Sequence, residues 1–376
     1  MRSWSVGMAV SDKPPYFYES VRAKFTAQSL LIHHPEVAEV VIVDNDPHPD
    51  SPLKDLAAKN GQIRLVDMPE PKGTAAPRNR VFREARFDYV ACIDPHVLLY
   101  PEFFEALDDF YSFKGRDCPD LVQGPMMNEA IDSIHATHMN DQWRCQMWGT
   151  WGMAWVVPGR PDMFSCITPD GRELVYVSMF PKGGQRPLSH SEILNLGLPL
   201  DLGWAGHETK LVSLGFYVPR LTPFPIPGHG MGFFACRKDS WLPFHAGCRG
   251  FGGEEMTTHC RFRRAGRTCW CVPGAEWWHD LWRPNRGAVP YRLTAYDKMR
   301  NYCLEFAALQ MDPAPIRAHF RPPEHEWRQA MEGAEWPAGA APPPDSAVAA
   351  PKTGGGPPGR GFVFKNGEWV YSGGAT

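Results

Sequence analysis

The sequence has no uninterrupted run of 18 apolar residues, no Cys-x-x-Cys pair and almost no charge imbalance, with 39 Lys and Arg against 42 Asp and Glu. Without the apolar run, no membrane-spanning helix is expected. Met1 to Gly7 leads straight into a strand-like segment, so no signal peptide is expected either, and the simplest location is cytoplasmic. The missing Cys-x-x-Cys pair removes zinc-ribbon and thioredoxin-like redox sites. The ten scattered Cys read as buried thiols. Only Cys269-Trp-Cys271 is close enough to suggest a metal, and strand packing explains it better. A net charge of −3 gives no global pull toward nucleic acid or anionic lipid. With 376 residues, 43% of them hydrophobic and 22% charged, the composition is that of a globular protein of one large domain or two small ones.

The first hundred residues alternate apolar runs with helical stretches, the pattern of an α/β fold on a mostly parallel sheet. Strands are expected at Trp4 to Val10, Val37 to Val43, Ile63 to Val66 and Tyr89 to Ile93. Helices are expected at Pro15 to His33, Leu53 to Asn60, Ala75 to Ala85 and Pro101 to Phe113. Polar residues follow the strands (Asp44-Asn-Asp46 and Asp94-Pro-His96), at the edge where ligands bind in open α/β sheets. From Trp155 to Gly230 there are ten Pro and ten Gly, so loops and short hairpins are expected. Further on, Gly232 to Arg237 and Thr268 to Val272 read as strands. Glu254 to Ala265, Tyr291 to Met311 and Glu324 to Glu332 read as helices. Ten of the 14 Trp fall between Trp143 and Trp282. Trp143, Trp148, Trp151 and Trp155 have the spacing of one helix face. Trp336 to Arg360 has the composition of a disordered linker, and Gly361 to Tyr371 that of a hairpin turning at Asn366-Gly367. No internal repeat is found.

Asp94-Pro-His96 carries the sharpest chemical signal. At a strand end, residues two apart point to one side, so a carboxylate and an imidazole can meet one divalent cation. A mixed oxygen and nitrogen set suits Mn²⁺ or a similar borderline ion better than Ca²⁺. A polar turn after a buried strand is the plainer reading of three residues taken alone.

Four further segments accompany it in order: Val40-Val-Ile-Val-Asp44-Asn-Asp46, Gly73-Thr-Ala-Ala-Pro-Arg78-Asn79-Arg80, Gly250-Phe-Gly-Gly-Glu254-Glu255, and Trp277-Trp-His279 with Arg283 after it. Together the five segments resemble the GT-A glycosyltransferases, particularly family 2 and the polypeptide N-acetylgalactosaminyltransferases, over about residues 3 to 300. The resemblance implies a Rossmann-like, mostly parallel sheet flanked by helices, with a loop-rich acceptor half. It implies a metal, Mn²⁺ or Mg²⁺, on Asp94, His96 and His279, and a UDP-sugar donor. Asp44, or Asp46, would hold the uracil. Arg78 would reach the nucleotide or its diphosphate while Asn79 supports the loop. Ala9, Asp94, Gly232 and Tyr291 would complete the nucleotide-sugar site, with Gly232 in the glycine-rich Gly228-His-Gly-Met-Gly232 segment. Arg283 would neutralise the leaving diphosphate. Of Glu254 and Glu255, one would act at the reacting centre: as base if the enzyme inverts, or to orient a sugar if it retains.

The expected organisation is a nucleotide-sugar half at 1–110, an acceptor and catalytic half at 111–305, helices at 306–335, a linker at 336–360 and a hairpin tail at 361–376. The expected activity is transfer of a hexose or N-acetylhexosamine from a UDP-sugar to an acceptor hydroxyl on a protein, a glycan or hydroxymethylated DNA. Departures from cellular family members suggest a phage or bacterial enzyme. Arg261, Arg263, Arg264, Arg267, Arg283, Arg286 and Arg292 form a basic stretch that keeps a phage enzyme acting on 5-hydroxymethylpyrimidines in view. The other alternative is a non-catalytic module that binds a glycan or protein.

Overall fold

Buried strands set the scaffold. β1 (Trp4–Val10) and β2 (Val37–Asp44) are buried at nearly every position, as parallel strands covered on both faces must be. In the computed structural model, residues 2–11, 17–70, 73–127, 134–144, 146–152, 163–167, 173–177, 223–280, 294–334, 336, 361–365 and 368–372 are described. Helices α1 (Tyr18–His33), α2 (Pro52–Lys59) and α3 (Ala75–Glu84) alternate with β1, β2, β3 (Ile63–Asp67) and β4 (Tyr89–Ile93). Ser51 accepts a hydrogen bond from the Leu53 N–H and Pro52 occupies the first turn, which starts α2 where the polar segment ends.

The chain then runs through β5 (Val97–Leu99), α4 (Phe103–Lys114), β6 (Leu121–Gln123), β7 (Met126–Met127), β8 (Ile134–Ala136), β9 (His138–Arg144) and β10 (Met147–Gly152). β11 (Met163–Ile167), β12 (Glu173–Val177), β13 (Phe224–Pro225) and β14 (Phe233–Arg237) follow. α5 (Glu255–Arg264), β15 (Cys269–Cys271), β16 (Trp277–His279), α6 (Ala295–Ala308), α7 (Ala314–Phe320) and α8 (Glu324–Glu332) end the larger unit, Met1–Pro337.

Eight strands form one sheet in the order β13-β15-β6-β14-β4-β1-β2-β3. β3, β2, β1 and β4 are mutually parallel, and β14 runs antiparallel between β4 and β6. The α/β architecture expected from the sequence is present. A second sheet, β5-β16-β7-β8, begins one residue beyond Asp94-Pro95-His96. Trp4, Phe103, Phe104 and Tyr111 fill the core on one face of the large sheet, and Val81, Phe82, Phe234 and Phe262 fill it on the other.

Two expectations need correcting. Trp143, Trp148 and Trp151 do not share a helix face: they lie on the antiparallel hairpin β9–β10, with Trp143 opposite Trp148 and their rings stacked 6.1 Å apart. Gly149, at φ 116°, explains why, since that backbone cannot continue a right-handed helix. Trp155 lies outside the described residues. The helix expected from Tyr291 begins at Ala295, capped by the Thr294 side chain, and ends at Ala308, with α7 separate from it. Cys269 and Cys271 pack into the core on one side of β15 and Trp270 on the other, so the strand alternation needs no metal. The smaller unit, Ala338–Thr376, contains β17 (Gly361–Lys365) and β18 (Glu368–Ser372), paired antiparallel from Gly361 opposite Ser372 to Lys365 opposite Glu368. That register is the one a two-residue turn at 366–367 requires. The linker expected at 336–360 lies, apart from Trp336, outside the described residues.

Candidate active site

The site forms where β4 stops. The Asp94 N–H donates to the Gly232 carbonyl at 2.9 Å and the Val97 N–H to the Asp94 carbonyl at 3.1 Å, so residues 94–96 make a tight turn from one sheet into the other. β16 pairs antiparallel with β5, and His279 sits opposite Val97. This register brings His279, 185 residues after Asp94 in the chain, beside His96; the two rings meet edge to face at 4.7 Å. One ligand atom from each of Asp94, His96 and His279 lies within 4.8 Å of the others, and this is the one such group of three His, Cys, Asp or Glu among the described residues.

Burial alone would favour the protonated Asp94, but the Arg78 guanidinium, the hydrogen bond from His279 and the neighbouring histidine charges outweigh it. Its carboxyl is held well below the usual range. Arg78 donates to Asp94 Oδ1 at 2.7 Å, while Asp94 Oδ2 lies 3.5 Å from His279 Nε2. An ionised carboxylate and two imidazoles within this span are a donor set that fits a borderline divalent ion such as Mn²⁺.

Arg78 is buried in the first turns of α3, and its other side faces the second acidic pair: Nη1 lies 3.8 Å from Glu254 Oε1. The Thr74 hydroxyl donates to the same oxygen. Glu254 is therefore tied to the α3 side of the site. Burial, then the charge of Glu255, pushes its carboxyl up to about 7 against the pull of Arg78. Glu255, the next residue, is also buried, and its Oε2 has no hydrogen-bond partner among the described residues.

The approach of these two segments depends on glycine. A Cβ on Gly73 would lie 2.0 Å from the Gly250 carbonyl oxygen, and the Thr74 N–H donates to that same oxygen at 3.0 Å. Beyond Gly250, Asn301 of α6 holds the loop: its Oδ1 accepts from the Arg249 N–H at 3.0 Å, and its Nδ2 donates to the carbonyls of Arg249 at 2.8 Å and Gly252 at 2.9 Å. Glu305, one turn further along α6, accepts from the His245 N–H at 2.8 Å and from Arg261.

The remaining expected residues divide clearly. Ala9 and Asp44 lie at the carboxyl ends of β1 and β2, along the edge where β4 delivers Asp94, and Asp44 Oδ1 accepts the Asp46 N–H at 3.3 Å. Asn79 has other work. Its amide donates to the Phe244 carbonyl at 3.0 Å and accepts from the Phe244 N–H at 3.0 Å and Trp241 Nε1 at 3.1 Å, so it supports the 241–244 loop. Gly232 makes room for side chains of the site itself: a Cβ there would fall 2.7 Å from the Trp277 ring and 2.9 Å from the His279 ring. Arg283 and Tyr291 lie outside the described residues.

Sequence reasoning missed several groups beneath the site. Gln123 donates to the carbonyls of Gly230 and Phe233, both at 2.7 Å, and pairs through Oε1 with His259, which is neutral because burial lowers its pKa to about 4. A glutamine at the end of β6 and a histidine inside a polar helix carried no distinctive pattern. Asn301 did carry one, because asparagine is a poor residue for a helix interior.

Part of the chain is similar to a known protein family. Residues 15–136, which include Arg78, Asp94 and His96, match the profile of glycosyl transferase family 2. No curated protein is significantly similar to the sequence. Among solved structures, the crystal structure of GalNAc-T7 with UDP, GalNAc and Mn²⁺ is similar at 12% identity and a TM-score of 0.47, covering 89% of this chain and 59% of that one. The similarity to glycosyl transferase family 2 thus lies in residues 15–136, the part of the chain that carries β2, β3, β4 and the Asp94-Pro95-His96 turn.

Proposed function

We propose that the protein uses a divalent cation, Mn²⁺ or Mg²⁺, to transfer a hexose or N-acetylhexosamine from a UDP-sugar to an acceptor hydroxyl. The observation that carries this reading is the convergence of Asp94, His96 and His279 within 4.8 Å at the carboxyl edge of the sheet. When bound there, the cation would neutralise charge on the departing diphosphate. Arg78 keeps Asp94 ionised. Asp44 and Ala9 lie along the same edge, where the uridine would bind. Arg283 and Tyr291 remain assigned to the diphosphate side.

The geometry separates the two glutamates. Glu254 is bound to Thr74 and faces Arg78, so it joins the two halves of the site. Glu255 keeps a buried oxygen with no hydrogen-bond partner among the described residues, and it is the carboxylate we assign to the acceptor hydroxyl. In an inverting transfer it would take that proton as the oxygen attacks the anomeric carbon.

Four of the seven arginines behind the DNA reading are hydrogen-bonded within the protein. Arg261 is engaged by Glu305 and the Pro243 carbonyl, and Arg263, Arg264 and Arg267 by the carbonyls of Pro227, Leu309 and Ser240. Arg283, Arg286 and Arg292 lie outside the described residues. Among the described residues no helix is long and apolar enough to cross a membrane.

A panel of UDP-sugars with and without Mn²⁺, scored by UDP release, tests the reading. Metal-dependent release from at least one donor, abolished in Asp94→Ala, is expected. No release from any donor, with donor binding unchanged in Asp94→Ala, removes the proposal.

A further inference from the structure

α1 lies outside every motif of the site, yet two side chains on one of its faces reach the turn at 94–96 and a third reaches the residue after His279. Glu19, Arg22 and Thr26 have the i, i+3, i+7 spacing that stacks residues along one side of a helix. Glu19 Oε2 lies 3.0 Å from His96 Nδ1. The Thr26 hydroxyl, itself buried, donates to the Pro95 carbonyl at 2.8 Å. Arg22 Nη2 lies 2.9 Å from an Asp280 carboxylate oxygen, and its Nη1 lies 3.9 Å from Glu19 Oε1. Asp280 directly follows His279, and its N–H donates to the His96 carbonyl at 3.0 Å.

Resting on the proposed metal-dependent reading, we infer that this face of α1 is a clamp that positions the two histidine ligands, with Glu19 as its principal positioning residue. The chemistry follows from the donor inventory. An ionised carboxylate can only accept, so the proton of a neutral His96 lies on Nδ1 and the Nε2 lone pair is left for a cation. A carboxylate behind a ligating histidine fixes its ring orientation and makes the outer nitrogen more basic. Thr26 holds the backbone of the same turn, and Arg22 holds the chain just after the other histidine. One helix face thereby sets the relative position of a ligand in the turn after β4 and a ligand on β16. An acid in the first turn of a helix also complements the macrodipole, but that effect does not require the carboxylate to lie on the ring nitrogen of a metal ligand.

The full chain can be titrated with Mn²⁺ and free ion followed by electron paramagnetic resonance, with melting in EDTA to confirm that each variant folds. Glu19→Ala is expected to bind Mn²⁺ about 10- to 100-fold more weakly than wild type. Glu19→Gln keeps an acceptor oxygen for Nδ1 and should recover most of that loss, a rescue that simple destabilisation of α1 would not give. Pulsed measurements on bound Mn²⁺ should show the ¹⁴N couplings of the wild type altered in Glu19→Ala and restored in Glu19→Gln. Thr26→Val tests the backbone tie without changing any charge, and about two- to fivefold weaker binding is expected for one lost hydrogen bond. A folded Glu19→Ala with wild-type affinity and couplings overturns the clamp, as does unchanged affinity in Thr26→Val if Glu19→Ala does not fold. Asp94→Ala separates the two ideas. If wild type binds Mn²⁺ no better than Asp94→Ala, the metal reading falls and the clamp with it; if wild type binds well and Glu19→Ala binds equally well, only the clamp falls.

Discussion

The two halves of the site are held by different means. In the amino-terminal half, strand ends do the positioning: Asp94 is the first residue after β4, and it is paired at once with Arg78 from the start of α3. In the carboxyl-terminal half, the strands that matter are three residues long, and side chains fix the backbone instead. Asn301 holds the 249–252 loop and Gln123 holds the carbonyls of Gly230 and Phe233. The first half leaves Asp94 paired with Arg78, whereas the second leaves Glu255 with a buried oxygen unpartnered among the described residues. A scaffold built from strand ends tolerates change at its surface, but one built from single side chains depends on each of them.

The largest effect should come from the unpartnered acid. Glu255→Gln should lower kcat about 10²- to 10⁴-fold, the range for losing a general base, with little loss of stability because it breaks no ion pair among the described residues. Glu254→Gln should change kcat far less. It removes the charge that faces Arg78, so urea melts should register it more than turnover does. Equal losses of kcat in the two variants would erase the distinction between them. Next in size is Asn301→Ala, which strips three hydrogen bonds from one loop and leaves buried backbone groups unsatisfied. It should cost about 2–3 kcal/mol in urea unfolding and lower kcat as well, because Glu254 and Glu255 follow that loop.

This difference between the halves also decided what the sequence made legible. β1, β2, β3 and β4 are apolar runs ending in polar residues, and their bounds agree with the expected ones to within a residue. Asp94, His96 and Arg78 sit at ends of such elements, so their convergence could be anticipated. β5, β7 and β16 are too short to carry a period, and the antiparallel pairing of β16 with β5 had no local signal. His279 was recovered from the order of motifs and not from any pattern of its own. The tryptophans were misread because spacings of five and three fit either a helix face or a hairpin. Gly149 and Gly152 were the available hint. Glu19 and Thr26 look like ordinary residues of an amphipathic helix, and only contacts across 77 and 69 residues give them a role.

Close packing offers a sharper cut through the same comparison. Gly232→Ala puts a methyl group where Trp277 and His279 already stand, on the strand that carries a ligand. It should cost about 1–3 kcal/mol by overpacking and weaken Mn²⁺ binding as β16 shifts. Gly61→Ala is the control from the first half, since a Cβ there meets nothing within 4 Å. Its thermal midpoint and Mn²⁺ affinity should stay near wild type. If Gly232→Ala behaves like Gly61→Ala on both readouts, the packing around β16 is looser than its geometry indicates.

The smallest expected effect concerns pH. Glu276 lies between β15 and β16, buried, with Oε1 unpartnered among the described residues. Burial, then the charge of Glu102, pushes its carboxyl up to about 8. The unfolded chain releases this proton near the ordinary glutamate value, so between about pH 4.5 and 8 the native state binds more protons than the unfolded state. Stability from this group is therefore present at low pH and is lost as pH rises through that window. Glu276→Gln keeps the shape and removes the titration. Urea melts from pH 5 to 8.5 should show wild type losing roughly 1 kcal/mol or more relative to the variant across the window. Parallel curves would mean that Glu276 is ionised and solvated when folded, and that the segment leading into β16 is open to water, unlike the buried strand β4 on the other side of the site.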